Sequence, residues 1–239
     1  MKNALNLIAI MLFAWAMASC TKDPNNGGSG SYGRHEYVDL GLPSGTLWAT
    51  CNVGANNPED FGDYFAWGET SPKDDYNWDT YRYSNGGSNG HPNLTKYCSD
   101  SDYGYNGFTD NLTILQPEDD AATANWGNGW RMPTKEECQE LFSYCTWLYT
   151  TQNGMTGMRI IGPNGNTLFL PSAGRRLDSA LSDGGALGYY WSSSFYTGAP
   201  DWLNNTTDAM CIGFGTIVDL CYTWRYGGFP VRAVRDSQH

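Results

Sequence analysis

The chain has 239 residues, room for one large domain or two small ones, and sets 14 Lys and Arg against 25 Asp and Glu for a net charge of −11. Charge of that sign repels phosphate backbones, so a nucleic-acid partner is not expected. Aromatic residues make up 15%, with 10 Trp and 16 Tyr beside 29 Gly. That mixture fits a loop-rich, β-containing domain whose loops are held by ring packing, and it is also the composition of binding surfaces.

In chain order, Lys2 gives a short positive start and residues 5–18 an apolar run too short for a comfortable membrane span. Met17-Ala18-Ser19 then places small residues before Cys20, the pattern of a cleaved signal peptide over residues 1–19. A cysteine at that point resembles the bacterial lipobox, which implies lipidation at Cys20 and a membrane contact through that anchor alone. Residues 20–34, rich in Asn, Gly and Ser, cannot bury apolar surface and read as a flexible tether. Lys22-Asp23 resembles the surface-export signal of Bacteroidetes lipoproteins. The expected location is the cell envelope, on the outer membrane and facing outward.

The folded domain is expected over residues 35–236. Residues 35–40 and 46–53 read as strands around a Gly-Leu-Pro-Ser-Gly turn. From residue 54 to about 110, Gly, Asn, Asp, Ser and Pro interrupt every apolar cluster. Tyr64, Phe65, Trp67, Tyr76, Trp78, Tyr81 and Tyr83 punctuate the stretch, which predicts long loops pinned by rings. Pro117 with Glu118, Asp119 and Asp120 starts a helix that Gly127 and Gly129 stop after Trp126. Thr134 and Glu137 form a capping box ahead of Cys138, Leu141, Phe142 and Cys145 at helical spacing. After Asn153 the pattern turns to strands: 158–161, a turn at 162–166, 167–170 and 189–194. Two alternating runs follow at Met210, Ile212, Phe214 and at Val218, Leu220, Tyr222, Trp224, with 229–234 closing the chain. Helices in the middle and strands last predict an α+β domain with two helices, an antiparallel sheet and long loops.

Six cysteines remain once Cys20 is set aside: Cys51, Cys98, Cys138, Cys145, Cys211 and Cys221. An even count in an exported chain permits disulfides, and the lack of any Cys-x-x-Cys pair disfavours structural zinc. Cys138 and Cys145 lie about 10 Å apart on a helix, too far to bridge, and read as buried free thiols.

Several segments together resemble one family. They are Glu36-Tyr37-Val38-Asp39-Leu40-Gly41-Leu42-Pro43-Ser44-Gly45-Thr46-Leu47-Trp48-Ala49, Gly62-Asp63-Tyr64-Phe65-Ala66-Trp67-Gly68-Glu69, Asp119-Asp120-Ala121-Ala122 running into Gly129-Trp130-Arg131-Met132-Pro133-Thr134, Leu168-Phe169-Leu170-Pro171-Ser172-Ala173-Gly174, Tyr190-Trp191-Ser192-Ser193-Ser194 and Val231-Arg232-Ala233-Val234-Arg235. They resemble the Fibrobacter succinogenes major paralogous domain family of Bacteroidetes surface lipoproteins, over about residues 35–236. The resemblance implies a C-type-lectin-like fold, and it implies function only weakly because that fold hosts many functions. Residues 195–230 are also similar to the variable window of retroelement-diversified receptor-binding proteins, which lies between a Trp-Ser-Ser-like segment and a closing Val-Arg-x-Val-Arg.

In that window Tyr196, Asp201, Trp202, Asn204, Asp208, Asp219, Tyr222, Trp224 and Tyr226 mix rings with short polar groups, the means by which both sugars and peptides are held. The competing reading makes the rings core and the acids solvated. Val218, Leu220, Tyr222 and Trp224 share one strand face, so some of them must be core. Calcium enters through the resemblance. Its candidate ligands are Asp100, Asp102 and Asn106, or Glu118, Asp119 and Asp120, but neither set matches an EF-hand loop, so no metal or other cofactor is expected. The histidines are only His35, His91 and His239, and no His-Glu-x-x-His motif occurs, so no catalytic set is visible. Arg131, Arg232 and Arg235 read as structural.

The expected function is therefore a surface-displayed ligand-binding or adhesion module for a glycan or a surface protein. The alternatives are a structural or pilus-type assembly subunit, a retroelement-diversified receptor-binding protein, and an oxidase of formylglycine-generating type using Cys211 and Cys221.

Overall fold

A computed structural model describes residues 29–87, 92–127, 129–198 and 206–237. Strands β1 (Ser29–Tyr32), β2 (His35–Asp39) and β3 (Leu47–Ala49) come first. Two helices occupy the middle, α1 (Ala121–Trp126) and α2 (Lys135–Tyr144). Then come β4 (Thr146–Gln152), β5 (Met155–Ile161), β6 (Thr167–Pro171), β7 (Arg175–Leu177), β8 (Ala180–Ser182), β9 (Gly188–Phe195), β10 (Asp208–Phe214), β11 (Val218–Trp224) and β12 (Val234–Arg235). The fold is mixed α+β and rich in sheet. In place of one sheet there are four antiparallel ones, ordered β1-β2-β3-β12, β11-β10-β9, β4-β5-β6 and β7-β8.

The described elements differ from the sequence reading at several points. Ser29–Tyr32, inside the stretch read as tether, pairs with β2. Residues 116–126 are not one helix. Pro117–Asp119 makes a 3-10 turn, and Asp120, extended in backbone, caps α1 by accepting from Thr123 N at 2.9 Å. The strand expected at 46–53 stops at Ala49, and of the closing run only β12 is regular, paired to β3. The strands begin before Asn153, because β4 follows α2 after a single residue. The capping box stands as expected. Thr134 Oγ1 accepts from Glu137 N, and the Glu137 carboxylate accepts from Thr134 N at 2.8 Å.

Two apolar clusters fill the interior. One joins α2, through Cys138 and Leu141, to Val38, Trp48, Ile160, Leu170, Tyr190, Ile212 and Phe214, so α2 lies across the β9-β10-β11 sheet. The other is built from the long loops, with Tyr64, Phe65, Trp67, Tyr76, Tyr81, Tyr83 and Tyr97 packed on Trp191, Phe195 and Phe229. Their polar tips reach backbone carbonyls: Tyr64 to Ala173, Trp67 to Ser192, Tyr76 to Tyr64 and Tyr81 to Trp67. Each ring thus removes apolar area from water while ending on a partner, which is how a stretch so poor in regular structure stays ordered.

Arg131 and Arg232 take the structural roles expected of them. Arg131 grips both carboxylate oxygens of Glu137 at 2.7 Å and reaches Asp236, and buried Arg232 donates to Asn52, Ala49 and Thr50. Cys138 and Cys145 carry free thiols. No helix among the described residues is long and apolar enough to cross a membrane.

Candidate functional site: an exposed aromatic platform

In the β10–β11 pair, Asp208 stands opposite Trp224, Met210 opposite Tyr222, Ile212 opposite Leu220 and Phe214 opposite Val218. Directly opposed residues of an antiparallel pair share a face. One half of this face is roofed by α2, where Val218 and Leu220 pack with Ile212 and Phe214. The other half lacks that cover, and there Tyr222 is 49% and Trp224 54% exposed.

Neighbouring rings extend this open half. Tyr196, just past the end of β9, stacks on Tyr222 with centroids 4.0 Å apart and planes 6° off parallel. Trp224 stacks on Tyr226 at 5.5 Å and 27°, and Tyr226 meets Trp78 edge to face at 5.0 Å. The result is a row of rings, Tyr196–Tyr222 and Trp224–Tyr226–Trp78. Tyr222 and Trp224 lie about 7 Å apart, two residues along one strand.

Asp208 is the acid of this surface. Burial raises its carboxyl to about 6, the nearby Arg225 guanidinium pulls it back down, and Thr207 supplies a hydrogen bond. Arg225 itself is fully buried and faces away from the rings. It donates to Tyr97 O at 2.9 Å and lies within 6 Å of the ring centres of Trp67, Tyr81 and Phe195. It thereby ties the end of β11 to the loop core. Asp119 completes the tie: its buried carboxylate accepts from the hydroxyls of Tyr83 and Tyr97 and from Lys96 Nζ at 2.5 Å. The other face of the strand pair is closed by a disulfide between directly opposed Cys211 and Cys221, Cα atoms 5.0 Å apart.

The structure thus brings together five of the window residues: Tyr196, Asp208, Tyr222, Trp224 and Tyr226. Asp219 is not among them. It sits one residue out of phase with Tyr222 and Trp224, so the alternation of a strand sends it to the opposite face, beside Gly213. Asp201, Trp202 and Asn204 lie outside the described residues, in the connection that leaves after Gly198 and returns at Thr206. Trp78, from the long loops, is a platform residue that sequence reasoning placed only among the pinning rings.

Three of the calcium candidates, Asp100, Asp119 and Asp120, accept hydrogen bonds from within the chain. Asp119 is held as above, Asp120 accepts from Thr123 N and Met132 N, and Asp100 accepts from Asp102 N. Among the described residues no three His, Cys, Asp or Glu side chains are grouped to hold a metal ion. A separate cleft of about 430 Å³, lined by Ile114, Leu115, Trp130, Arg131, Met132 and Asp236 among others, shares no residue with the platform. No protein-family model, curated protein or solved structure matches the chain.

Proposed function

We propose that the chain is a surface-displayed ligand-binding module that holds a carbohydrate on the Tyr196–Tyr222 and Trp224–Tyr226–Trp78 rings. One observation carries this reading: on a face otherwise covered by α2, the half beside Asp208 keeps large rings half in water. Flat rings stack on the apolar face of a pyranose, and a carboxylate at their edge accepts from its hydroxyls. The net charge of −11 and the acid on the platform favour a neutral glycan over an acidic one.

The same reading takes the fold as C-type-lectin-like, related to the Fibrobacter succinogenes major paralogous domain family through the Gly129–Thr134 and Tyr190–Ser194 segments. It also takes the domain as displayed on the outer membrane through a lipid at Cys20, which lies outside the described residues. The test is an array of neutral and acidic glycans probed with the chain from Ser29 onward, which holds every described element. It is run with calcium and again with chelator. Reproducible binding to neutral glycans supports the reading. A blank array overturns it in favour of a protein ligand, and loss of binding in chelator would put a metal at the site.

A further inference from the structure

Beyond the end of β11 the row of rings reaches a second set of polar groups. Three segments meet there: residues 76–78, residues 176–178 where β7 runs into its turn, and residues 226–228. Backbone bonds sew them together. Tyr76 and Asp178 exchange two at 3.0 Å, and Arg176 and Gly228 exchange two at 2.7 and 2.9 Å. Gly228 passes close over the Tyr76 ring, where a Cβ would come within 2.5 Å of it, so a side chain at this position would force the segments apart. Trp78 is held from below as well, edge to face on buried Tyr81 at 5.5 Å.

This junction carries an acid of its own. Asp178 is exposed, and its Oδ1 accepts from Asn77 Nδ2 at 3.3 Å. Burial and then the charge of Asp178 raise the hydroxyl of Tyr226 above its ordinary value, which sets that carboxylate beside the ring. Arg175, the cation that opposes it there, is engaged by Asp183 at 3.3 Å. A carboxylate accepts up to about four hydrogen bonds, so the bond from Asn77 fixes Asp178 and leaves acceptor capacity open. The inner end of the row has the same composition, with Asp208 opposite Trp224 and Tyr222 two residues along. The stack of Trp224 on Tyr226 at 5.5 Å joins the two ends.

We propose that Trp78, Tyr226, Asp178 and Asn77 form a second sugar-binding position adjoining the one at Tyr222, Trp224 and Asp208, so that the ligand is a neutral glycan chain of two or more linked units in place of a single terminal sugar. The proposal rests on the carbohydrate reading above. Its warrant is length. A pyranose is about as wide as one aromatic ring, and the step from Tyr222 to Trp224 alone is about 7 Å, so one unit leaves the Tyr226–Trp78 end empty. Once a first unit is seated, a second unit linked to it binds as an intramolecular event. The outer rings are already fixed by four backbone bonds, so little freedom is lost when it does.

The experiment is calorimetric titration of the chain from Ser29 onward with neutral glucose, mannose and galactose oligosaccharides of one to six units. The proteins are the wild type, Trp78→Ala, Asp178→Asn and the surface control Ile217→Lys. The expected result is an affinity that rises about tenfold or more when a second or third unit is added. Trp78→Ala and Asp178→Asn should each flatten that rise, and the control should keep it. Asp178→Asn is nearly isosteric and suits the left-handed φ of 47° at this position, so it guards against Trp78→Ala failing to fold. Thermal melts establish the fold of each. Sugars that bind with equal affinity at every length overturn the second position and leave the carbohydrate reading standing. A loss in both variants that is equal at every length also overturns it. A wild type that binds none of the sugars overturns both.

Discussion

The rings of Tyr196 and Tyr222 lie face to face at 4.0 Å although β10 lies between β11, which carries Tyr222, and β9, whose end Tyr196 follows. The stack closes over the open half of the β10–β11 face, so its two sides are held by the sheet and one surface stays toward water. Rings held in this way lose little freedom when a ligand arrives, which is the economy of aromatic contact surfaces.

Arg225 anchors that surface through volume more than through charge. It is wholly buried, makes one hydrogen bond to Tyr97 O, and two of its nitrogens find no partner. Arg225→Ala should cost about 3 kcal/mol or more, because it opens a cavity among Trp67, Tyr81 and Phe195. Arg225→Met, which fills the space without a buried charge, should stay within about 1 kcal/mol of the wild type. Urea denaturation of the two variants separates these contributions.

Asp208 should trade stability for function. Its carboxyl is raised to about 6 by burial, against about 3.9 in an unfolded chain. Between those values the folded state binds the extra proton, so stability falls as pH rises from about 4 to about 6 and remains reduced above. Asp208→Asn should therefore stabilise the fold at pH 8 by about 1–2 kcal/mol, after allowance for the partial exposure of the group, and the gain should vanish near pH 4. Melting curves across that range check the sign, and glycan binding should weaken in the same variant.

Asp119 should act in the opposite direction. Burial would raise its pKa, but hydrogen bonds from Lys96, Tyr83 and Tyr97 outweigh burial and lower it. A depressed folded pKa gives stability that is full above the unfolded value of about 4 and is lost as pH falls through the folded one. Asp119→Asn should lower stability at pH 7 by about 2–4 kcal/mol and flatten the acid limb of the stability curve. Proteolysis should then cut first in the loops carrying Tyr83 and Tyr97, a pattern limited digestion can read.

The Cys211–Cys221 bond closes a loop of sequence separation 10. Replacing both cysteines with serine should cost about 2–3 kcal/mol by chain entropy. With β11 an edge strand, hydrogen exchange should rise in residues 218–224 before it rises in α2.

The parts legible in the sequence are those fixed by neighbours in the chain. The Thr134–Glu137 box sets the start of α2 with two local bonds, and the turn at residues 162–166 sets the β5–β6 hairpin. Strand β4 was missed because it follows α2 after one residue, and its exposed Leu148 and Tyr149 leave no clean alternation of buried and open positions. The platform was half legible. Alternation along β11 placed Tyr222 and Trp224 on one face, and the same alternation excludes Asp219. Which rings of that face stay open depends on where α2 ends above them, a relation between segments some 80 residues apart that no local pattern encodes. Trp78 joins the row only through packing of the long loops on Tyr226.

The most direct test of the account is a paired glycan array of the wild type and the Tyr222→Ala, Trp224→Ala double variant, at matched melting temperature. Both rings are half exposed, so their removal should cost the fold no more than about 1 kcal/mol while binding to neutral glycans falls tenfold or more. Binding that persists undiminished in the folded double variant would contradict the platform as the site.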